Sequence, residues 1–270
     1  ELAFEEKETA AHVAREWLAA GYRVEEGVGG TGVVGVLENG PGPTLLIRAD
    51  MDALPVREAT NLPYASRVEV RAADGGVLGV MHACGHDIHV TSLIGSARLL
   101  AAARKHWSGS LVLIAQPAEE NGRGALRMLA DGLFERVPRP DYSLALHVES
   151  DLPAGQLGIT KGWAAANVDA VDITIFGRGG HGARPQMAVD PIVAAAHLVT
   201  ALQTLVSRRV DPREPAVVTV GSIHGGSQHN VIPDEVQLQL TVRSYTEPVR
   251  ELLLSGIRQI SEDTCRTFAC

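Results

Sequence analysis

The feature that most constrains the fold is the alternation of short apolar runs with helical stretches in the first half of the chain. Residues 111–115 and 143–146 are largely apolar and short, as is typical of strands buried on both faces of a parallel sheet. One helical pattern, at 87–105, precedes the first run, and another, at 124–133, lies between the two runs. Strands alternating with helices predict an α/β domain with a mainly parallel sheet.

The pattern changes after residue 166, where alternating polar and apolar residues indicate antiparallel strands. The predicted elements there are a strand, a helix, two strands and a helix, at 168–176, 190–208, 216–224, 235–243 and 247–264. This order is one strand short of the ferredoxin-like split βαβ sandwich. The sequence therefore predicts two domains, residues 1–166 and residues 167–270, the second of them incomplete.

Composition excludes several classes of function. The formal net charge is −8 and aromatic residues make up 4% of the chain, which argues against a nucleic-acid partner. No apolar run is long enough to span a membrane. Three cysteines in 270 residues do not form a disulfide framework, so we expect a reducing, cytoplasmic setting.

The densest chemical feature is the segment 81–89, Met-His-Ala-Cys-Gly-His-Asp-Ile-His. Five potential metal ligands lie within its eight positions from His82 to His89. Thiolate, imidazole and carboxylate groups are the ligands that a borderline divalent ion such as zinc prefers. Gly85 provides the backbone freedom to turn between Cys84 and His86 at the entry to a helix. The segment therefore predicts a metal site.

Similar side chains follow the predicted strands. Asp50 and Asp52 come after the strand at 44–48, Glu119 and Glu120 after the strand at 111–115, and His147 after the strand at 143–146. In open parallel sheets, ligands bind beyond the carboxyl ends of the strands. We therefore expect these residues to meet the 81–89 segment at one edge of the sheet.

Four motifs together resemble a known family. They are Arg-Ala-Asp-Met-Asp-Ala-Leu-Pro at 48–55, Cys-Gly-His-Asp at 84–87, Gln-Pro-Ala-Glu-Glu at 116–120 and Gly-Gly-His-Gly-Ala at 179–183. Their order over nearly the whole chain is similar to that of the binuclear metallo-amidohydrolases related to aminoacylase and carboxypeptidase, in the branch of hippurate hydrolase and auxin-conjugate hydrolases. The resemblance implies a zinc-peptidase-like metal domain and an inserted ferredoxin-like lid domain that also dimerises.

The resemblance also implies an activity and its cofactors. The expected reaction is hydrolysis of the amide bond of a small N-acyl amino acid by a metal-activated water molecule. The expected cofactors are two divalent ions per subunit, of manganese, zinc, cobalt or nickel. The expected assembly is a homodimer or a higher homo-oligomer that forms through the lid domain.

Site residues follow from the same resemblance, matched position by position. It implies that the metal ligands are Cys84, His86, Glu120 and His147. Glu119 matches the general acid/base, and Asp52 matches the carboxylate that orients the metal ligands. His181, Asn230 and Arg243 match residues that reach the substrate, His181 often across a dimer.

Departures from the family pattern leave two alternatives open. No histidine before Cys270 corresponds to the family's last metal ligand, and its opening motif begins before Glu1, so we expect both ends of the chain to be cropped. Gln186 stands after Pro185, where the family usually has a histidine. One alternative is a thiol hydrolase with Cys84 as nucleophile. The other is a metal-binding or regulatory relative without catalysis.

Overall fold

A computed structural model describes residues 1–72 and 75–270 and divides the chain into two units, residues 1–155 and 156–270. The first unit has four helices, α1 (Lys7–Ala19), α2 (His86–Ala102), α3 (Gly124–Ala130) and α4 (Leu133–Arg136), with a 3₁₀ turn at Arg104–His106. Its strands are β1 (Arg23–Val28), β2 (Gly32–Asn39), β3 (Thr44–Asp50), β4 (Glu69–Arg71), β5 (Val77–Gly79), β6 (Gly109–Gln116) and β7 (Tyr142–Ala145).

Five strands form the central sheet of the first unit, in the order β1-β2-β6-β3-β7. β3 is parallel to both of its neighbours, β6 and β7, whereas β1, β2 and β6 pair antiparallel. The predicted α/β class is confirmed, and β6, β3 and β7, three of the five strands of this sheet, run parallel as expected. Asp50 on β3 pairs with Gln116 on β6, so the carboxyl ends of these strands lie at one edge of the sheet.

Strand β6 shows why the sheet is covered on both faces. Its residues are buried along nearly the whole strand. Leu111 and Leu113 pack in one cluster with residues of α1 and α2, whereas Val112 and Ile114 pack in another with residues of α3 and α4. Successive side chains of a strand point to opposite faces, so an uninterrupted apolar run needs two apolar layers around it.

The predicted helix at 124–133 is interrupted. α3 ends at Ala130, and α4 begins only at Leu133, after Gly132. Gly132 has φ = 78°, in the left-handed region that ends a helix and that glycine adopts without steric penalty. The single helix expected from the apolar pattern is therefore two short helices.

The second unit has helices α5 (Pro191–Thr204) and α6 (Glu247–Phe268), a 3₁₀ turn at Pro185–Met187 and a π-helical turn at Leu205–Arg209. Its strands are β8 (Asn167–Phe176), β9 (Gly180–His181), β10 (Ala216–His224), β11 (Val231–Ile232) and β12 (Glu235–Ser244). The longer elements follow the predicted order of strand, helix, two strands and helix. The predicted helix at 190–208 ends as an α-helix at Thr204 and continues as the π-helical turn.

An antiparallel sheet in the order β10-β12-β8 carries the core of the second unit. Along β12 every second residue is buried, and these residues pack with apolar side chains of α5 and α6, including Leu198 and Leu253. Asp190 caps α5, since its carboxylate accepts a hydrogen bond from the backbone N–H of Ile192 at 2.9 Å. Among the described residues, no helix is both long enough and apolar enough to cross a bilayer.

Candidate metal centre

The candidate site lies where α2 begins, beside the carboxyl ends of β3, β6 and β7. His86 is the first residue of α2, and Gly85 precedes it with φ = 77°. A Cβ atom on Gly85 would lie 2.4 Å from Cγ2 of Val148, so the close approach also requires glycine. The turn thereby brings His86 to the edge of the sheet where the strand-end carboxylates lie.

His86 is the centre of the cluster and is 0% exposed. Its Nδ1 lies 3.2 Å from Oδ1 of Asp52. Its Nε2 lies 3.7 Å from Oδ2 of Asp50, 3.9 Å from Oε2 of Glu119 and 3.8 Å from Oε1 of Glu120. Burial by itself lowers the pKa of His86, but the contact with Asp52 and the surrounding negative charges raise it overall.

The groups around His86 fit a bound cation. Nε2 of His86 is buried and has no hydrogen-bond partner within the described parts of the chain. Three carboxylates face it at 3.7–3.9 Å, too far for a hydrogen bond. Buried groups of this kind are normally paired or coordinate a metal ion. A divalent cation would satisfy the imidazole and offset the repulsion among the acids.

The ligand types also suit a metal. Among the described residues, three groups of side chains bring their ligand atoms within 4.8 Å of one another, and all three share His86. The other members are Cys84 and His147 in the first group, Asp50 and His89 in the second, and Glu119 and Glu120 in the third. Sγ of Cys84 lies 3.4 Å from Nε2 of His147. Mixed sulfur, nitrogen and oxygen ligands are typical of zinc and similar transition metals.

His147 is oriented for binding through one nitrogen. Its Nδ1 lies 2.7 Å from the carbonyl oxygen of Val148, which can only accept a hydrogen bond. Nδ1 therefore carries the proton of the neutral ring, and Nε2, which faces Cys84, has its lone pair free. Histidines that bind a metal through one ring nitrogen are commonly oriented by a hydrogen bond from the other ring nitrogen.

The electrostatics of Cys84 argue against the thiol-hydrolase alternative. Burial and the nearby carboxylates, Glu120 and then Glu119 and Asp50, raise the pKa of Cys84 to about 11. A cysteine nucleophile needs a lowered pKa, because the thiolate is the reactive form. Without a cation, this cluster favours the neutral thiol, which is the opposite of what the alternative requires.

Asp52 links His86 to the segment that carries the glutamates. It is buried, and its Oδ2 accepts a hydrogen bond from the backbone N–H of Glu120 at 3.0 Å. Burial alone raises its pKa, but the contact with His86 and the backbone N–H groups of Glu120 and Glu119 lower it overall. Asp52 is therefore an ionised acceptor held between α2 and the residues after β6.

Glu119 and Glu120 differ in the exposure of their side chains. The Glu119 side chain is 41% exposed and that of Glu120 is 22% exposed, while the main chain of Glu120 is itself open to solvent. Burial and the charge of Glu119 raise the pKa of Glu120. The two neighbours thus present one more buried and one more accessible carboxylate.

His89 is one of the five potential ligands of segment 81–89, but the family resemblance gave it no role in this site. Its Nδ1 lies 2.6 Å from Oδ1 of Asp50, and its Nε2 accepts a hydrogen bond from the backbone N–H of Val148 at 2.9 Å. Because a backbone N–H can only donate, Nδ1 of the neutral ring carries the proton and donates to Asp50. His89 thereby connects Asp50 to the residue that follows His147. Its position one turn after His86 on α2 is the only sequence signal of this role.

In the second unit, His181 and Asn230 lie next to each other. His181 on β9 pairs with Val231 on β11, and the N–H of Gly182 donates to the carbonyl oxygen of Asn230 at 2.8 Å. Nδ1 of His181 accepts a hydrogen bond from the N–H of Ala183 at 3.1 Å, which leaves Nε2 as the donor of the neutral ring. The His181 residue is exposed.

Arg243 is not grouped with these two residues. It is exposed near the end of β12, opposite Val168 on β8 and Val217 on β10. The residues 230–232 lie just before the other end of β12. A strand rises by about 3.3 Å per residue, so Arg243 is roughly 25 Å along β12 from Glu235.

Comparisons with known proteins show the family of the chain. A family model described as peptidase family M20/M25/M40 matches residues 46–243. The chain is 44% identical to hippurate hydrolase of Campylobacter jejuni over 96% of its length and 40% identical to thermostable carboxypeptidase 2 of Saccharolobus solfataricus over 99%. It spans 65% and 66% of the length of these two relatives.

A solved structure shows the same likeness. A Bacillus subtilis protein described as a dinuclear metal-binding peptidase of the M20 family has a TM-score of 0.76 with this chain and is 33% identical to it. The match covers 99% of this chain and 67% of that protein. The resemblance derived from the four sequence motifs is therefore confirmed.

Proposed function

The chain belongs to the peptidase family M20/M25/M40, and from that premise we propose that it hydrolyses the amide bond of small N-acyl amino acids of the hippurate type. One observation carries the proposal: a buried imidazole nitrogen without a hydrogen bond faces three carboxylates, beside a thiol and a second histidine. Such a set of ligands suits a metallo-amidohydrolase or carboxypeptidase-like enzyme.

Two divalent ions, of zinc, manganese, cobalt or nickel, are the proposed cofactors. Cys84, His86, Glu120 and His147 would hold them, and Asp52 would fix the orientation of His86 through Nδ1. When bound, such ions lower the pKa of a coordinated water and polarise a carbonyl group. The low exposure of the Glu120 side chain supports its assignment as a ligand.

Glu119 is the proposed general acid/base. Its side chain is the more accessible of the two glutamates, while its oxygen stays within 3.9 Å of the cluster's central imidazole. In the proposed reaction, a carboxylate oxygen of Glu119 takes a proton from the attacking water and then delivers it to the departing amide nitrogen. Two neighbouring carboxylates thereby divide the work of binding and of proton transfer.

The second unit supplies the proposed contacts with substrate. The protonated Nε2 of His181 is free to donate to the oxygen of the carbonyl under attack, with Asn230 beside it. Arg243 lies roughly 25 Å along β12 from Glu235, so it is proposed to bind the carboxylate of a substrate other than the one that His181 of the same subunit contacts. We further propose a homodimer through this unit, in which His181 of one subunit acts on the substrate of the other.

Removal and return of metal test the proposal. The purified protein, stripped by a chelator and dialysed, should lose hydrolysis of hippurate-like substrates, and added Zn²⁺ or Mn²⁺ should restore it. The control is the same treatment without a chelator. Undiminished turnover by metal-free protein would contradict the metal mechanism and favour Cys84 as nucleophile. Absence of turnover by metal-loaded protein across a panel of N-acyl amino acids would favour a non-catalytic relative.

A further inference from the structure

Glu6 is a buried acid that the chemistry proposed above does not use. It directly precedes α1 and is 0% exposed. Its Oε1 accepts hydrogen bonds from the backbone N–H of Phe4 at 3.0 Å and from that of Ala118 at 2.8 Å. Its Oε2 accepts a hydrogen bond from the hydroxyl of Thr31. A carboxylate in such a position must be held by its hydrogen bonds, because burial of an unpaired charge is unfavourable.

The contact with Ala118 crosses 112 positions of sequence and reaches the residue immediately before Glu119. Ala118 is buried and has φ = 47°, in the left-handed region that is unfavourable for residues with a Cβ atom. Phe4, with φ = 65°, is also left-handed, and both residues donate to the same oxygen of Glu6. Backbone of this kind persists only where its surroundings hold it in place.

The residues around Glu119 are thus anchored on both sides. Before it, Glu6 holds the N–H of Ala118, and after it, Asp52 holds the N–H of Glu120. The carbonyl oxygen of Ala118 also accepts a hydrogen bond from the N–H of Gly124 at 3.1 Å. Asp52 contacts His86 as well, whereas within the described residues the carboxylate of Glu6 accepts hydrogen bonds only from Phe4, Thr31 and Ala118. Glu6 can therefore be changed without removing a contact to the metal cluster.

We propose that Glu6 is a positioning residue for Glu119: by holding Ala118 in its left-handed conformation, it sets the direction in which the Glu119 side chain leaves the backbone. This role rests on the proposed function of Glu119 in proton transfer. A displacement of about 1 Å in a reacting group can lower a rate by about a hundredfold, so such an anchor affects turnover without touching substrate. Its effect should appear in kcat and not in KM or metal content.

Three variants separate positioning from general stability. Glu6→Met keeps the length of the side chain and removes both acceptor oxygens, whereas Glu6→Gln keeps an acceptor for the two backbone N–H groups. Glu5→Met is the matched control, since Glu5 is the adjacent residue, exposed and paired only with Lys7. Each variant is first examined without metal, by residue-resolved amide hydrogen exchange at Glu119 and Glu120. These amides have Asp52 as acceptor, so the substitutions leave their own hydrogen bonds in place.

We expect Glu6→Met to raise the rate of hydrogen exchange at these two amides by about fivefold. This is the factor by which the loss of one hydrogen bond, the one that holds Ala118, should favour local opening of the segment. In the metal-loaded protein, kcat should fall by about 10- to 100-fold at unchanged KM and metal content. Glu6→Gln should restore both measurements to near the wild-type values, and Glu5→Met should match wild type. If Glu6→Met does not fold, Glu6→Asp, which draws the carboxylate back by one methylene, should show smaller changes in the same direction.

Wild-type exchange and wild-type kcat in the folded Glu6 variant would overturn the proposal. So would a loss of turnover that follows metal loss alone, with exchange at Glu119 and Glu120 unchanged. The exchange measurement needs neither metal nor substrate. If wild-type protein fails to hydrolyse any N-acyl amino acid, the proposed function fails, while exchange in Glu6→Met still decides whether Glu6 anchors this segment.

Discussion

The cluster of candidate metal ligands around His86 in the first unit and the turn at His181 in the second unit hold their polar groups in different ways. His86, Asp50 and Asp52 are buried, and backbone donors or other side chains hold the residues around them. His181 is exposed, and within the described residues its ring has one hydrogen bond, which Nδ1 accepts from the backbone N–H of Ala183 two residues away. A dense polar network fixes geometry, whereas an exposed side chain on a short strand retains freedom to adjust.

The difference fits different roles for the two units, with fixed ligand positions in the first and an accessible, adjustable side chain in the second. Coordination of metal needs several ligand atoms at fixed positions, and buried side chains on strands and helices provide them. A group that meets a substrate only during reaction needs access and some freedom of movement. The predictions below test whether the cluster behaves as a rigid set with distinct roles and whether His181 acts independently of it.

The largest expected effect is on the two adjacent glutamates. Glu119→Gln should keep metal bound and lower kcat by about 10²- to 10⁴-fold, because it removes the group that transfers the proton. Glu120→Gln, the matched control one residue away, should instead reduce metal occupancy. Steady-state kinetics combined with elemental analysis of each purified variant measure both effects. Equal loss of metal in the two variants would show that the glutamates do not have separate roles.

A smaller but still large effect is expected in the second unit. His181→Ala should lower kcat by about 10²- to 10³-fold, the range for loss of a donor to a developing oxyanion, and leave metal content unchanged. The control is His224→Ala, which removes another exposed histidine of the same unit. Loss of metal from His181→Ala would contradict the independence of the two regions.

The same variant tests the proposed homodimer. If His181 acts across subunits, mixing His181→Ala chains with Glu119→Gln chains should recover part of the activity, because one site of each heterodimer would be intact. Native mass spectrometry shows whether heterodimers form. Heterodimers without recovered activity would place His181 in the reaction of its own subunit.

A chemical test measures the negative potential of the cluster. The pKa of Cys84 is raised to about 11, so at pH 8 its thiolate fraction should be about a hundredfold below that of an unperturbed cysteine. In metal-free protein, alkylation of Cys84 by iodoacetamide should be slowed accordingly and should accelerate as the pH rises towards 11. The control is the same cysteine in denatured protein, followed by peptide mass spectrometry. Rapid alkylation of folded protein at pH 8 would contradict this electrostatic picture.

The smallest expected effect concerns the support of His86. Asp52→Asn preserves the size of the side chain and removes its charge, and it should weaken metal affinity by about 10- to 100-fold. The control, Asp87→Asn, makes the same chemical change at the exposed second residue of α2. Competition with a metal indicator dye measures both affinities. If both substitutions weaken binding equally, the contact between Asp52 and His86 has no special part in holding metal.

Local pattern predicted some elements better than others. The strands at 111–115 and 235–243 were expected from their apolar or alternating residues, and β6 and β12 contain them. The helix at 124–133 was wrong as a single element, because the left-handed Gly132 interrupts it. The assignment of residues 167–270 to a lid and dimerisation domain, with its boundary at residue 166, stays a prediction.

The sequence alone determined which residues could meet at one edge of the sheet. Asp50 is the last residue of β3, and four further residues follow a strand: Asp52, Glu119, Glu120 and His147. The carboxyl ends of parallel strands lie at the same edge of a sheet. The residue types in segment 81–89 likewise indicated a metal without any structure. These inferences needed only local pattern, since the chemistry of a side chain and its place after a strand are both written along the chain.

Only the tertiary structure decided how those groups are held. The burial of His86 among carboxylates, the link from Asp50 through His89 to Val148, and the hydrogen bond from Ala118 to Glu6 join residues 33 to 112 positions apart. No periodicity or spacing encodes such pairs, because they depend on how helices and strands pack against each other after they form. The free energy of a buried polar group depends on the partners that packing brings to it, and those partners come from distant parts of the chain.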